Sequence, residues 1–257
     1  MCDLMIEHKA AKKDETPLSL VISYADKPIA EDVSFRNTLI KAGSNPDEFQ
    51  RVLSNWMTGQ NERRIARLRV IQGIRDRTFT IDRLIAAANA FDLLPFDNPS
   101  LPTDVHDKIN ELRGAVKEAL PYPLFEPVLD ALGRLGGRNL RSKILARFQL
   151  LPASLQSHLP EMEKVIGHCV QARNYFVHGT RPRKLSVQVI TDNQVFFTQT
   201  LEFIFVTAEL SECGWDWQSW RRTGGSSPLT YYLDSYQHQL QELKKMESDG
   251  AGAPSNL

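Results

Sequence analysis

Arg173, Asn174 and His178 fall in one short stretch, Gln171-Ala172-Arg173-Asn174-Tyr175-Phe176-Val177-His178-Gly179. A basic loop, Thr180-Arg181-Pro182-Arg183-Lys184, follows at once. Arginine is a permanent cation whose forked N–H donors match phosphate oxygens, and histidine exchanges a proton near neutral pH. Arg181, Arg183 and Lys184, with Arg141 upstream, are candidate cations for an RNA backbone. These parts suit RNA cleavage without a metal. A ribose 2′-OH attacks its own phosphodiester once it is deprotonated and the phosphorane charge is neutralised; His178 is the candidate general acid or base, and Arg173 the candidate phosphate holder. The need for a 2′-OH confines the reaction to RNA. No cofactor is implied, and the sequence offers no acidic cluster for a metal.

The spacing places these residues on the last turns of one helix, from about Pro160 to His178, with Gly179 as its C-terminal stop. Met162, Val165, Ile166, Cys169, Val170, Phe176 and Val177 form most of an apolar stripe, and Arg173 falls inside it. A guanidinium there needs a partner: a carboxylate, another subunit or a phosphate. Asn174 and His178 are one helical turn apart, whereas Arg173 and His178 are about 140° apart around an ideal helix. They converge only because His178 stands where the backbone leaves the helix, and the helix dipole there favours imidazolium. The bare pattern is weak, since 19 arginines and six histidines give about 0.4 such matches by chance. A buried arginine paired with Glu161, Glu163 or a neighbouring carboxylate, beside a capping histidine, fits the same letters.

Stepping outward, most of the chain reads as helix. Leu18 to Tyr24 is a strand-like run with no evident partner, either the end of a β-rich region that the chain does not contain or a small cap. From Asn45-Pro46 the pattern turns helical: Phe49, Val52, Leu53 and Trp56 up to Gly59, then Arg63 to Arg77. Thr80 is the expected N-cap of a helix over 81–94, ended by Pro95. Further helices are expected over 104–120, 124–135, 139–150, 193–212 and 228–246. The expected fold class is mostly α, a multi-helix bundle with a short N-terminal strand-like segment. Residues 1–45 form an N-terminal extension, 46–246 the helical domain and 247–257 a disordered tail.

Lys plus Arg (31) equals Asp plus Glu (31), so net charge implies no polyanion. The distribution does, since from Ala131 to Ile190 ten basic residues (Arg134, Arg138, Arg141, Lys143, Arg147, Lys164, Arg173, Arg181, Arg183, Lys184) stand against Glu161 and Glu163. A solvated basic face is the plain alternative. Three scattered cysteines form neither a disulfide framework nor a zinc site, which fits the cytoplasm. No run is long and apolar enough for a membrane span. Trp215, Trp217 and Trp220 read as core more readily than as a base-stacking platform. Cys169 reads as core, and His168 lies about 15 Å along the helix from His178, which makes it structural or solvated.

Arg-Asn-x-x-x-His at a helix end, followed by Gly and a basic loop, resembles the Arg-x4-6-His motif of HEPN domains. The segments 49–56, 82–95 and 140–145 look like the C-terminal region of ApeA-like HEPN proteins, bacterial proteins linked to abortive infection against phage. The resemblance spans roughly Asp47 to Arg222. It implies a helical domain that forms a homodimer, with two Arg/His pairs lining one cleft and cutting RNA without metal. Arg173 and His178 would be the catalytic pair, Asn174 the accessory polar residue, and a phage-derived trigger is left open. Similar proteins usually carry a substantial β-rich N-terminal domain, whereas here about 45 residues precede the helices. The alternatives are a catalytically silent scaffold of the same type and a nucleic-acid-binding regulator using the basic segment 134–147.

Overall fold

The computed structural model describes residues 2–8, 18–24, 39–40, 42–76, 78–95, 103–133, 139–182, 185–222 and 227–251. The chain divides into two compact units, 1–38 and 39–257. In the first, β1 (Cys2–His8) pairs antiparallel with β2 (Leu18–Tyr24), from Cys2 opposite Tyr24 to His8 opposite Leu18. β2 is the strand that its Leu, Val, Ile and Tyr residues predict. Its partner is not predicted, because the apolar run Leu4-Met5-Ile6 is short and shows no alternation.

The second unit is a multi-helix bundle. It opens with α1 (Pro46–Thr58), α2 (Gln60–Asp76) and α3 (Ile81–Ala90), which passes into a 3₁₀ turn at Phe91–Leu93. α4 (Thr103–Ala119), α5 (Phe125–Gly133), α6 (Leu140–Gln149), the single turn α7 (Ala153–Gln156) and α8 (Met162–His178) follow. The chain then forms α9 (Val187–Asp192), α10 (Gln194–Glu212), α11 (Trp217–Arg222) and α12 (Pro228–Ala251).

The starts of these helices are written locally. Asn45 Oδ1 accepts from the Glu48 N–H at 3.3 Å while its amide donates to Glu48 Oε2 at 2.9 Å, a reciprocal cap before Pro46. Thr80 caps α3 through the Arg83 N–H at 3.2 Å, as expected, and Asn139 caps α6 through the Ser142 N–H at 2.9 Å. Several boundaries differ from expectation, among them α3, which stops at Ala90 where a helix to Leu94 is expected. α11 occupies part of the stretch that its tryptophans and flanking glycines make look turn-rich. α12 runs to Ala251, past Met246, because Glu247 and Ser248 are compatible with helix; residues 252–257 of the expected tail lie outside the described residues.

α10 is the centre of the bundle. Phe197, Leu201, Ile204 and Ala208 are wholly buried, with Phe196, Phe203 and Phe205 nearly so. A helix apolar on all sides must be enclosed, and α1, α2, α3, α6, α8, α9 and α12 all pack on it. Each such phenylalanine contributes about 1.5–3 kcal/mol through burial. Tyr232 and Tyr236 of α12 complete this aromatic layer, their hydroxyls donating to Thr200 Oγ1 (2.9 Å) and to the Pro160 carbonyl (2.6 Å).

α10 also carries three carboxylates that arginines from other helices reach. Glu202 receives Arg83 of α3 in a fork, Nε to Oε1 at 2.7 Å and Nη2 to Oε2 at 2.8 Å. Glu209 receives Arg63 and Arg67 of α2 at 2.9 and 2.8 Å and Arg147 of α6 at 2.5 Å. Glu212 is shared by Arg147, at 2.6 Å, and Arg63. Charges this deep are tolerated only because each meets an opposite charge in good geometry.

Candidate active site

α8 docks one face on α10, burying Met162, Val165, Ile166, His168, Cys169 and Ala172. Its last turn stands at the surface. Gly179 takes φ 63°, the left-handed conformation that glycine adopts freely, and its N–H donates to the Tyr175 carbonyl at 2.9 Å. This C-terminal stop, expected from the sequence, ends the helix at His178 and leaves the imidazole exposed.

Arg173 and His178 meet there. Arg173 Nη1 lies 3.0 Å from His178 Nε2, and the same nitrogen donates to Asn174 Oδ1 at 3.1 Å. The opposite edge of the guanidinium is held from α3, with Nε and Nη2 donating to Asn89 Oδ1 at 3.1 and 2.9 Å. Arginine has donors only, so Nε2 must present its lone pair in this contact and the imidazole proton sits on Nδ1. The contact arranges the ring as a hydrogen-bond acceptor.

No carboxylate among the described residues pairs with Arg173. The two on its own helix segment are engaged elsewhere, Glu161 by Lys244 and Glu163 by Arg141 at 2.7 Å. Arg173 is half-buried rather than core-facing and rests on neutral oxygens. The arrangement therefore keeps a full positive charge beside a proton-accepting ring, open to solvent, which suits an anionic, proton-bearing substrate.

The structure brings together Arg173, Asn174 and His178, and it adds Asn89, which the sequence does not single out. The available signal is a lone amide in the otherwise apolar run Ala86-Ala87-Ala88-Asn89-Ala90-Phe91. Arg141 stands apart, since its partner Glu163 is in the first turn of α8 and the pair is in the last. Arg141 Nε also lies against Gly167, which is about 9 Å of helix rise short of Arg173 and about 16 Å short of His178. Arg181 is exposed and has no ion-pair partner among the described residues; Arg183 and Lys184 lie outside them.

The local basic excess is smaller in space than in sequence. Arg141, Lys143, Arg147 and Lys164 are paired with Glu163, Asp92, Glu209 and Glu247. Arg134 and Arg138 lie outside the described residues. Arg147 belongs to the core network, so the segment 134–147 does not present it to a nucleic acid. Trp215, Trp217 and Trp220 are buried, with Trp217 Nε1 donating to Ser154 Oγ at 3.1 Å, and cannot stack on bases. His168 is enclosed with Nε2 3.0 Å from Glu247 Oε1, and burial pushes the Cys169 thiol well up, so both are structural.

No three His, Cys, Asp or Glu side chains cluster at metal-binding range among the described residues, and no helix there is long and apolar enough to cross a membrane. A family model described as Apea-like HEPN matches residues 96–219, a span that includes α8 and its Arg173–His178 turn. No curated protein and no solved structure matches the chain.

Proposed function

We propose, from the premise that the chain is a HEPN-domain protein resembling the Apea-like family, that it is an endoribonuclease cutting RNA by its own side chains. The observation that carries this reading is the 3.0 Å contact between Arg173 Nη1 and His178 Nε2 at an exposed helix end. When a bound phosphate draws Arg173 Nη1 away from His178 Nε2, the freed Nε2 lone pair takes the proton of a ribose 2′-OH, and the resulting alkoxide attacks the adjacent phosphorus. The bond to the 5′-oxygen breaks, leaving a 2′,3′-cyclic phosphate on one product and a 5′-hydroxyl on the other. Arg173 holds the phosphate and meets the charge that grows on the phosphorane. Asn174 steadies the guanidinium.

The departing 5′-oxygen needs a proton at the moment the 2′-OH gives one up. One imidazole cannot serve as base and acid together, so a homodimer that sets two His178 side chains in one cleft supplies both roles. Exposed Arg181 extends the positive surface along the RNA backbone, and Arg183 and Lys184, next in sequence, add charge to the same loop. A role in abortive infection against phage, with cleavage switched on by a phage-derived trigger, follows from family likeness.

The test is cleavage of mixed RNA in EDTA by wild type, Arg173→Ala and His178→Ala, with product ends analysed. Wild type alone should cut, leaving 2′,3′-cyclic phosphate or 3′-phosphate ends. Equal cutting by all three would remove both residues from the reaction. Failure of all three, even with phage lysate added, would favour a silent scaffold.

A further inference from the structure

We propose that Asn89 is a positioning residue of this site: it fixes the guanidinium of Arg173 for a nucleic-acid phosphate and, being neutral, leaves that cation its charge. The inference rests on the ribonuclease reading above. It is argued from contact: Asn89 lies outside the segment 96–219 that the family model matches, and the resemblance over 82–95 assigns it no role.

A single oxygen, Asn89 Oδ1, takes both the Nε and Nη2 protons of Arg173, while Asn174 Oδ1 and His178 take the Nη1 side. The guanidinium plane is thus gripped on two edges by residues from two helices. Since arginine only donates, both amides are forced to turn their oxygens inward. Their Nδ2 groups face away, with no partner among the described residues. Four of the five guanidinium N–H donors are engaged in the cluster, which leaves the cation's charge and one Nη2 proton for a phosphate oxygen.

Charge argues the same way. An aspartate at position 89 would make the stronger contact, but it would turn Arg173 into half of a neutral ion pair. Helix stability does not explain Asn89 either. Asparagine is a poorer helix former than alanine, and its neighbours Ala87, Ala88 and Ala90 are all buried alanines. A polar side chain here serves Arg173.

The experiment compares wild type, Asn89→Ala, Asn89→Asp and Arg173→Ala in three measurements: the unfolding midpoint, binding of a 2′-O-methyl RNA oligonucleotide that cannot be cut, and cleavage of the same sequence bearing 2′-OH groups. Both Asn89 variants should unfold at or above the wild-type midpoint. Asn89→Ala should lose several-fold in binding or cleavage, and Asn89→Asp about tenfold or more at pH 7.5. The fall of oligonucleotide binding with salt should be shallower by about one in log–log slope in Asn89→Asp than in wild type, because an ionised carboxylate beside Arg173 takes that cation from the phosphate; a purely structural role would not change the slope.

If wild type binds the oligonucleotide through Arg173 but does not cut, loss of binding in the Asn89 variants still supports this proposal while the ribonuclease reading fails. Wild-type binding and cleavage in both variants overturn it. So does an unfolding midpoint that falls in step with activity, or an Arg173→Ala variant that binds as tightly as wild type.

Discussion

Arg147 of α6 and Glu209 of α10 meet at 2.5 Å, Nη2 to Oε1, with both side chains withdrawn from solvent. In sequence Arg147 belongs to a basic run that looks like a nucleic-acid surface; in the fold it is one of three arginines converging on one buried carboxylate. Removing that carboxylate leaves buried Arg67 without an acidic partner and Arg63 and Arg147 with Glu212 alone. Glu209→Ala should destabilise the bundle by about 3–5 kcal/mol, read as a lower urea midpoint. A loss below about 1 kcal/mol would mean that water reaches the network and screens it.

Glu212 gives the pH dependence. Burial alone raises its carboxyl, but hydrogen bonds and charge from Arg63 and Arg147 outweigh burial and hold it below the ordinary 4.5. The folded form therefore binds fewer protons than the unfolded chain in this range. Glu212 contributes its full stabilisation above about pH 4.5 and loses it as pH falls through the depressed folded value. Urea midpoints measured from pH 7 down to pH 3 should decline, and Glu212→Gln should decline less steeply below pH 4.5. Parallel curves would assign the acid sensitivity to other carboxylates.

Gly179 controls where His178 points. At φ 63° an alanine is strained by roughly 1–2 kcal/mol, although nothing stands within 4 Å of its added Cβ. Any effect of Gly179→Ala is thus a backbone effect. On the proposed reading, RNA cleavage should fall several-fold in Gly179→Ala and recover largely in Gly179→Asn, because asparagine tolerates the left-handed region. Full activity in both would show that the helix stop does not aim the imidazole.

Arg173→Lys keeps the charge but loses the fork that reaches Asn89, Asn174 and His178 at once. On the proposed reading, cleavage should drop about 10²–10³-fold, comparable to losing an oxyanion donor. His178→Ala should lose about 10²–10⁴-fold, the usual worth of a general acid or base. Neither should move the thermal midpoint much, since the contacts lie at an exposed helix end. A rate retained in Arg173→Lys would reduce Arg173 to a point charge.

Much of the helical order was legible because its signals are local. Thr80, Asn139 and Gly179 sit at helix ends that a cap or a left-handed turn demands, and the α10 segment is apolar enough to require burial. The triad of Arg173, Asn174 and His178 was legible because it lies within one helical turn and a half. Asn89 was not, since it comes from 84 residues away and nothing in a run of alanines says which helix it faces. The basic run misled for the same reason. Pairing of Arg147 with Glu209, 62 residues on, cannot be read from either neighbourhood.

The seating of both α3 and α8 on α10 has a consequence during synthesis. A nascent chain that has reached Gly179 already contains Asn89, Arg173, Asn174 and His178, yet the helix that buries their supports begins at Gln194. The frame on which both helices are seated is complete only after α10 has cleared the ribosome. Fragments from translation that stops earlier carry the chemistry without its frame. On the proposed reading, that order of events delays RNA cutting until most of the chain has been made.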